Sequence, residues 1–445
     1  MVSDILMLIV LYYIIAIILI CLFLIKINKN KRMSAILIVR MMYILIYAIV
    51  PIITFTNLYQ CGQDYYTRTL DLAPEYLNQN FKVCLLALLG YFMLEMGYSI
   101  KKQIVIKRFN IKFRDNQIWK ASLLMTFISV VSFFIWSYPF GGPLAMIKYG
   151  TMIRSGYEIA GINNTFGFMK QFVPLIQFSS LISLGLFRKN RCYKYFLHFT
   201  FAFIVSIIYL ISNDGRAPFL MYFVSVLILW NIAKEHLKKQ IKFRILPLIM
   251  ISVIGILFVE NIDFFTSLLR EEKTIVKNID ISGVFSPIYK EFSWTVRNPQ
   301  AVYIAKKDGI GFRIIEDILS AIFSLLPSRF TPEGIQRLEK INTIYWFNGM
   351  KGYGGKPTDI IVTGLYQLGY VGALILPLVY GYFLKKIDYF FKKGTNSIYY
   401  KVLFVQLIYQ FAKTIAYADF ALVALNLFYI VVGHFIVCYF NRRNT

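Results

Sequence analysis

Three groups of residues in this 445-residue chain have types and spacing suited to chemistry on phosphates and sugars. The first is a glycine-rich run, NGMKGYGGKPTDIIVTGLYQLGYVG, in which Lys351 and Lys356 precede a helix entry at Pro357 and Thr358 or Asp359. Unpaired N–H groups at a helix start, with ammonium groups beside them, can hold a phosphate. The plainer alternative is a flexible glycine turn capped for stability. The second group is a set of arginines at turns: Arg216 in SNDGRAPFL, Arg154 in MIKYGTMIRSGYE, and Arg297, Arg313 and Arg329 further along. A guanidinium stays charged and grips two phosphate oxygens at once; at a span end it can equally serve as a snorkelling anchor, and in a loop it can simply be solvated. The third group is aromatic: Trp294, Tyr345, Trp346, Phe347 and Tyr353. Such rings stack on sugars or form the ordinary interfacial belt of a membrane protein.

The elements that must position these residues are membrane spans. With 58% hydrophobic and 16% charged residues, the chain lies outside the range of water-soluble domains. Apolar windows long enough to cross hydrocarbon fall near 5–25, 34–55, 81–100, 121–138, 170–187, 196–212, 217–233, 245–262, 360–384, 402–417 and 420–440. The expected fold is therefore an all-α integral membrane protein of about eleven transmembrane helices, a single polytopic domain over 1–445.

Basic clusters follow the first, third, fifth, seventh, ninth and last spans, so all six fall on one side, which the retention of short basic loops makes cytoplasmic. That alternation predicts an outer N-terminus and a cytoplasmic C-terminus. The start, MVSDIL, has no basic leader region, so the first span is expected to stay attached. The net charge of +25 suggests nucleic acid at first sight, but more than half of the 48 basic residues sit in those short loops, where anionic lipid headgroups are the partner. No nucleic-acid partner is expected. The five cysteines and three histidines have no metal-site spacing, and no cofactor or metal is expected. Arg40 and Glu95, both in apolar spans, call for each other as a structural ion pair.

The long outer segment, 263–359, is where function is expected. It contains GIGFRIIEDILSAIFSLLP, in which Ile314, Ile315, Ile318, Leu319, Ile322, Leu325 and Leu326 recur at helical spacing opposite Arg313, Glu316, Asp317 and Ser320. This stretch is expected to form an amphipathic helix along the bilayer surface.

Three features resemble the Wzy-type polymerases of bacterial surface polysaccharides: the SNDGRAPFL turn between two central spans, a large outer loop late in the chain, and a G-x-Y-x-x-G-x-x-G run formed by Gly364, Tyr366, Gly369 and Gly372. The resemblance implies a GT-C-like polymerase or ligase architecture in the bacterial cytoplasmic (inner) membrane. It implies a metal-independent glycosyltransferase that polymerises undecaprenyl-pyrophosphate-linked oligosaccharide repeat units into O-antigen or capsule at the outer face. Membrane lipids and a chain-length regulator protein are the further partners it suggests.

A diphosphate leaving group needs positive charge near the membrane plane. On this resemblance Arg216 and Arg154 are the expected catalytic cations, with Asp359 as the base or, equally, a helix cap. Arg329, Arg313, Arg297, Lys356, Lys413 and Tyr366 are the expected substrate contacts; Glu291, Glu316 and Asp419 are weaker carboxylate candidates. The related O-antigen ligases carry a histidine and a small polar residue eleven and ten positions before the first glycine of a G-x-x-G run. Thr358 and Asp359 occupy those places before Gly369, so the ligase histidine is missing. A flippase or transporter of lipid-linked units is the alternative of a different class; it would favour broken helices with polar groups at mid-membrane.

Overall fold

A computed structural model describes residues 2–29, 34–61, 70–100, 113–155, 166–213, 216–233, 291–348, 355–393 and 397–442. Every regular element among them is helical, as a chain in lipid requires, because only a helix or a closed barrel satisfies its own backbone there. The helices are α1 (Val2–Lys29), α2 (Ala35–Ile44), α3 (Val50–Cys61), α4 (Pro74–Ser99), α5 (Asp115–Ser137), the short α6 (Gly150–Ser155), α7 (Leu175–Asn190), α8 (Tyr193–Ser212) and α9 (Arg216–Ile232). Then follow α10 (Asn298–Lys307), α11 (Ile314–Phe323), α12 (Leu338–Trp346), α13 (Ile360–Lys393), α14 (Ile398–Thr414) and α15 (Phe420–Arg442). A π-helical turn, Leu45–Ile49, joins α2 to α3 into one continuous span.

Among the described residues, seven helical stretches are long and apolar enough to cross a membrane: Ser3–Lys26, Ala35–Gln60, Pro74–Ser99, Asp115–Phe140, Tyr193–Ser212, Ile360–Phe391 and Phe420–Arg442. Three more expected spans coincide with the shorter α7, α9 and α14, of 16, 17 and 17 residues. The eleventh, 245–262, lies outside the described residues, as do 263–290 and 349–354 of the long outer segment. Large apolar side chains cover the surface of the molecule as well as its core. Phe127 is 66% exposed and Phe435 68%, while Ser179, Ser180 and Ser183 of α7 are completely buried. Apolar residues face outward because acyl chains are as good a solvent for them as the protein core, and hydroxyls turn inward where partners exist. His198 illustrates the rule: its ring meets Thr126 at 2.9 Å and Ser183 at 2.8 Å.

Contacts sort the helix ends into two sets. At one end Arg40 forms a bidentate pair with Glu95, at 2.5 and 2.8 Å, as the two intramembrane charges require. There Asp388 accepts from Tyr98 and from the amide of Ala35, Lys189 pairs with Asp115 at 2.7 Å, and Lys401 donates to Ala233. These are the ends flanked by the basic clusters. At the other end, residues 291–348 fold over the bundle: Gln300 bridges Asp71 and Asn80, Lys307 meets Glu75, Gln171 donates to Ser324, and Tyr417 donates to Glu291. Ala233 and Glu291 therefore lie at opposite ends of the bundle.

The densest seam joins α4 to α13. Gly97 faces the carbonyl of Leu378, and Gly381 faces that of Leu94, so close that a Cβ at either position would overlap backbone. Small residues permit this approach, and dispersion between backbones replaces the hydrophobic drive that lipid does not supply. The expected span at 360–384 is present but is not a continuous helix. Leu368 (φ −140°) and Gly369 (φ 63°) leave helical geometry, so Ile360–Gln367 forms a half-helix that folds back on the rest. Gly364 and Gly372 consequently pack backbone to backbone, although an unbroken helix would hold them about 12 Å apart. The positive φ is why position 369 is glycine.

Candidate functional site

The residues singled out from the glycine-rich run converge where the outer segment meets the half-helix 360–367. Residues 355–359 are irregular, and their backbone groups are bonded by side chains. Asn298, at the start of α10, donates to the Pro357 carbonyl at 3.1 Å and to Asp359 at 3.3 Å. Asn342 of α12 donates to Asn298 at 3.0 Å and to the Lys356 carbonyl at 2.8 Å, and accepts from the Tyr366 hydroxyl at 3.2 Å. All of Asn298, Asn342, Asp359 and Tyr366 are buried.

Asp359 closes the helix end from within. Its carboxylate accepts from the amides of Ile361 and Val362, both at 3.1 Å, and from Tyr47 at 2.5 Å. Of the two roles expected for this residue, the contacts are those of a cap, and the N–H groups that could have held a phosphate are occupied by it. A second aspartate does the same work nearby. Asp419 accepts from Ala421 and Leu422 at the start of α15 and from the Glu339 amide. The two capped starts are tied together by backbone: Ile360 donates to Ile415, and Ala418 to Thr358. Both helices thus begin from a shared irregular crossing inside the protein.

The expected cations are divided. Arg297 is buried and donates to the Trp346 carbonyl at 2.7 Å, to Asn348 at 2.6 Å and to Gln300 at 3.3 Å, which locks α10 onto α12. Burial pushes its guanidinium down to about 10. Lys356 lies over the Trp346 ring at 4.5 Å, and Lys413 donates to Asn426 at 3.1 Å. Arg313 donates to the Gln336 carbonyl at 2.9 Å, and Arg329 is exposed beside Phe330. Arg154 falls in α6 and Arg216 opens α9, but their side chains lie outside the described residues.

The amphipathic α11 takes an orientation that lipid explains. Ile315, Ile318, Leu319 and Ile322 are turned outward, and the polar stripe of Asp317, Ser320 and Ser324 is buried against the protein. Asp317 pairs with Arg313 at 3.3 Å, and burial, with Asp419 nearby, pushes its carboxyl up to about 7. Glu339, at the start of α12, is also pushed up to about 7 by burial and by Asp419, against the opposing pull of Arg337, Lys413 and Lys340. A cavity of about 430 Å³ lies beneath α11, bounded by the 167–171 turn and the segment 327–340.

The residues that sequence reasoning missed are Asn298, Asn342, Glu339, Arg337 and Lys340. Only the i, i+3, i+7 spacing of Asp317, Ser320 and Ser324 carried a signal, as a narrow polar stripe; Glu316, expected on the same side, is instead exposed between Ile315 and the buried stripe.

The two raised acids make a prediction. A carboxyl whose folded value lies above its unfolded one stabilises the docked state most below about pH 4, and that contribution disappears as pH rises through about 7. For Asp317 the full span is on the order of 4 kcal/mol. Detergent-solubilised protein is expected to melt at a lower temperature at pH 8 than at pH 5, and Asp317→Asn is expected to flatten much of that slope. An unchanged slope in the variant would remove Asp317 from the account.

No family model, curated protein or solved structure matches the chain, so the reading of this helical membrane protein rests on its own residues and geometry.

Proposed function

We propose that the chain is a surface-polysaccharide polymerase of the bacterial cytoplasmic membrane, crossing it about eleven times with its N-terminus outside. In this reading it transfers a growing glycan from one undecaprenyl diphosphate carrier to the repeat unit on another. The bond between the anomeric carbon and the diphosphate breaks, the carrier diphosphate leaves with the bonding electron pair, and the acceptor hydroxyl forms the new glycosidic bond and gives its proton to that diphosphate. The observation that supports it most is the packing of 291–348 over the bundle end remote from the basic loops, where the Arg313 amide donates to the Tyr366 carbonyl of the half-helix and Lys356, just before that helix, lies over the Trp346 ring. Arg216 and Arg154 supply the positive charge that stabilises the leaving diphosphate. Asp359 acts as a positioning residue that holds the half-helix start, with Tyr366 and Arg297 bracing the same frame.

Deleting the gene in its own strain is expected to convert a surface-polysaccharide ladder into single repeat units. Arg216→Ala and Arg154→Ala, in protein confirmed to be inserted, are each expected to lower polymer yield at least tenfold, and the corresponding lysine variants to recover part of it, since a point charge replaces the fork only incompletely. Full ladders from all four variants would remove both arginines from the mechanism.

One observation favours a second reading. A broken helix and an adjacent helix start that share a crossing inside the bundle are features of transporters, whose substrate sites use interrupted helices. A transporter of lipid-linked units would leave those units trapped inside the cell after deletion, whereas loss of a polymerase leaves single units on the surface.

A further inference from the structure

The cavity beneath α11 has a chemistry that the expected site residues do not use. Apart from Thr331, its polar lining is Gln171, Ser320, Ser324, Gln336, Arg337 and Lys340, and among the described residues no carboxylate lines it. Ser320 and Ser324 are buried on the inner face of α11, while Arg337 and Lys340 stand at the more open side. Neither cation is in an ion pair or hydrogen bond among the described residues; Glu339 is the acid whose field they feel, together with Asp419 in the case of Arg337. Phe168, Phe323 and Leu326 supply an apolar wall. Leu326, in the turn that follows α11, is exposed, as are Ile315, Ile318 and Ile322 on the helix, so the wall of the cavity reaches the protein surface.

A site with two cations and buried hydroxyls at one side and a path of apolar side chains at the other matches an amphiphile with an anionic head. We propose that this cavity binds the phosphate-bearing head of a membrane lipid, with Arg337 and Lys340 holding the phosphate, Ser320, Ser324, Gln171 and Gln336 bonding the polyol or sugar beyond it, and the lipid chain leaving over Leu326 along α11. Phosphate suits the pair because arginine offers a planar fork and lysine a compact charge. The volume falls within the range of small-ligand sites, which accommodates a headgroup and not a long glycan. The inference concerns binding alone and rests on the proposed function only in setting 291–348 at the membrane surface.

The test is binding to the purified full-length protein in a neutral detergent, followed by native mass spectrometry and by ligand-induced change in thermal midpoint. Three probes are compared: farnesyl diphosphate, dioleoylphosphatidylglycerol and inorganic pyrophosphate, with dioleoylphosphatidylcholine as the zwitterionic reference. Saturable binding of at least one anionic amphiphile, tighter than both pyrophosphate and the phosphatidylcholine reference, is expected. Arg337→Gln together with Lys340→Gln is expected to weaken it at least tenfold, and Lys307→Gln, which removes a charge remote from the cavity, to leave it unchanged. Ser324→Leu, which fills the cavity floor, is a second variant expected to abolish retention. Preference for farnesyl diphosphate identifies an isoprenoid carrier as the source and preference for phosphatidylglycerol a bilayer phospholipid; either supports the site. Equal binding of pyrophosphate, or wild-type affinity in both cavity variants with their melting preserved, overturns it. A protein that binds the lipid yet makes no polymer leaves the site standing and sinks the polymerase reading instead.

Discussion

Gly97→Ala is expected to separate α4 from α13 and to lower stability by about 3 kcal/mol or more, although it adds a single methyl group. An added Cβ would fall inside the Leu378 carbonyl and its peptide carbon and press on the Tyr382 amide, and none of these is a flexible side-chain end that could move aside. The reciprocal residue, Gly381, meets the carbonyl of Leu94 and the amide of Tyr98 in the same way. Gly381→Ala should therefore cost a similar amount. The double variant should cost less than the sum, because the helices need to part only once. Gly311, with open space around its missing Cβ and no positive φ, is the control, and Gly311→Ala should stay within about 0.5 kcal/mol of the parent. Thermal unfolding in detergent, followed by the loss of a monodisperse elution peak, measures all four. A Gly97→Ala protein that melts with the parent would show that the seam is looser than described.

Asp359→Ala is expected to have the second large effect, on the order of 4 kcal/mol, with loss of inserted, folded protein as the readout. The substitution strands the Val362 amide, the Tyr47 hydroxyl proton and one proton of the Asn298 amide, and leaves the Ile361 amide only its bond to the Tyr47 oxygen. Each buried donor left without an acceptor costs about 1–3 kcal/mol, part of which relaxation recovers. Asp359→Asn separates the two roles first expected for this residue. Asparagine caps a helix nearly as well as aspartate and keeps one acceptor oxygen, so a capping role predicts folded protein with polymer still formed. A general base predicts folded protein with no polymer. The burial of the carboxylate among four donors favours the first outcome, and a folded but inactive Asp359→Asn would return this residue to the chemistry.

How much of this was legible beforehand varies by residue. The bidentate Arg40–Glu95 pair followed from the cost of lone charges in lipid, since each had one obvious partner at the same depth. The helix at 314–323 and its outward apolar face followed from spacing alone. Lys356, Asp359 and Tyr366 were marked by the glycine-rich run and do meet in one network, but the asparagines that join them, Asn298 and Asn342, lie in ordinary-looking helices and carried no local mark. Arg297 was marked as a cation; that its fork would close on Trp346 and Asn348, about fifty residues away, was not marked.

What the sequence determined by itself was the solvent: apolar runs of span length, polar side chains spaced to face inward, and basic clusters after alternate spans. Transfer free energy depends on the composition of a short window, so a local pattern suffices for it. The tertiary structure alone decided that α13 breaks at Leu368 and Gly369, that 358–360 and 415–418 exchange backbone bonds, and that Asp359 and Asp419 cap adjoining helices. Each of those arrangements is stabilised by groups brought together from distant parts of the chain, and the free energy of such a contact exists only once the helices around it have packed.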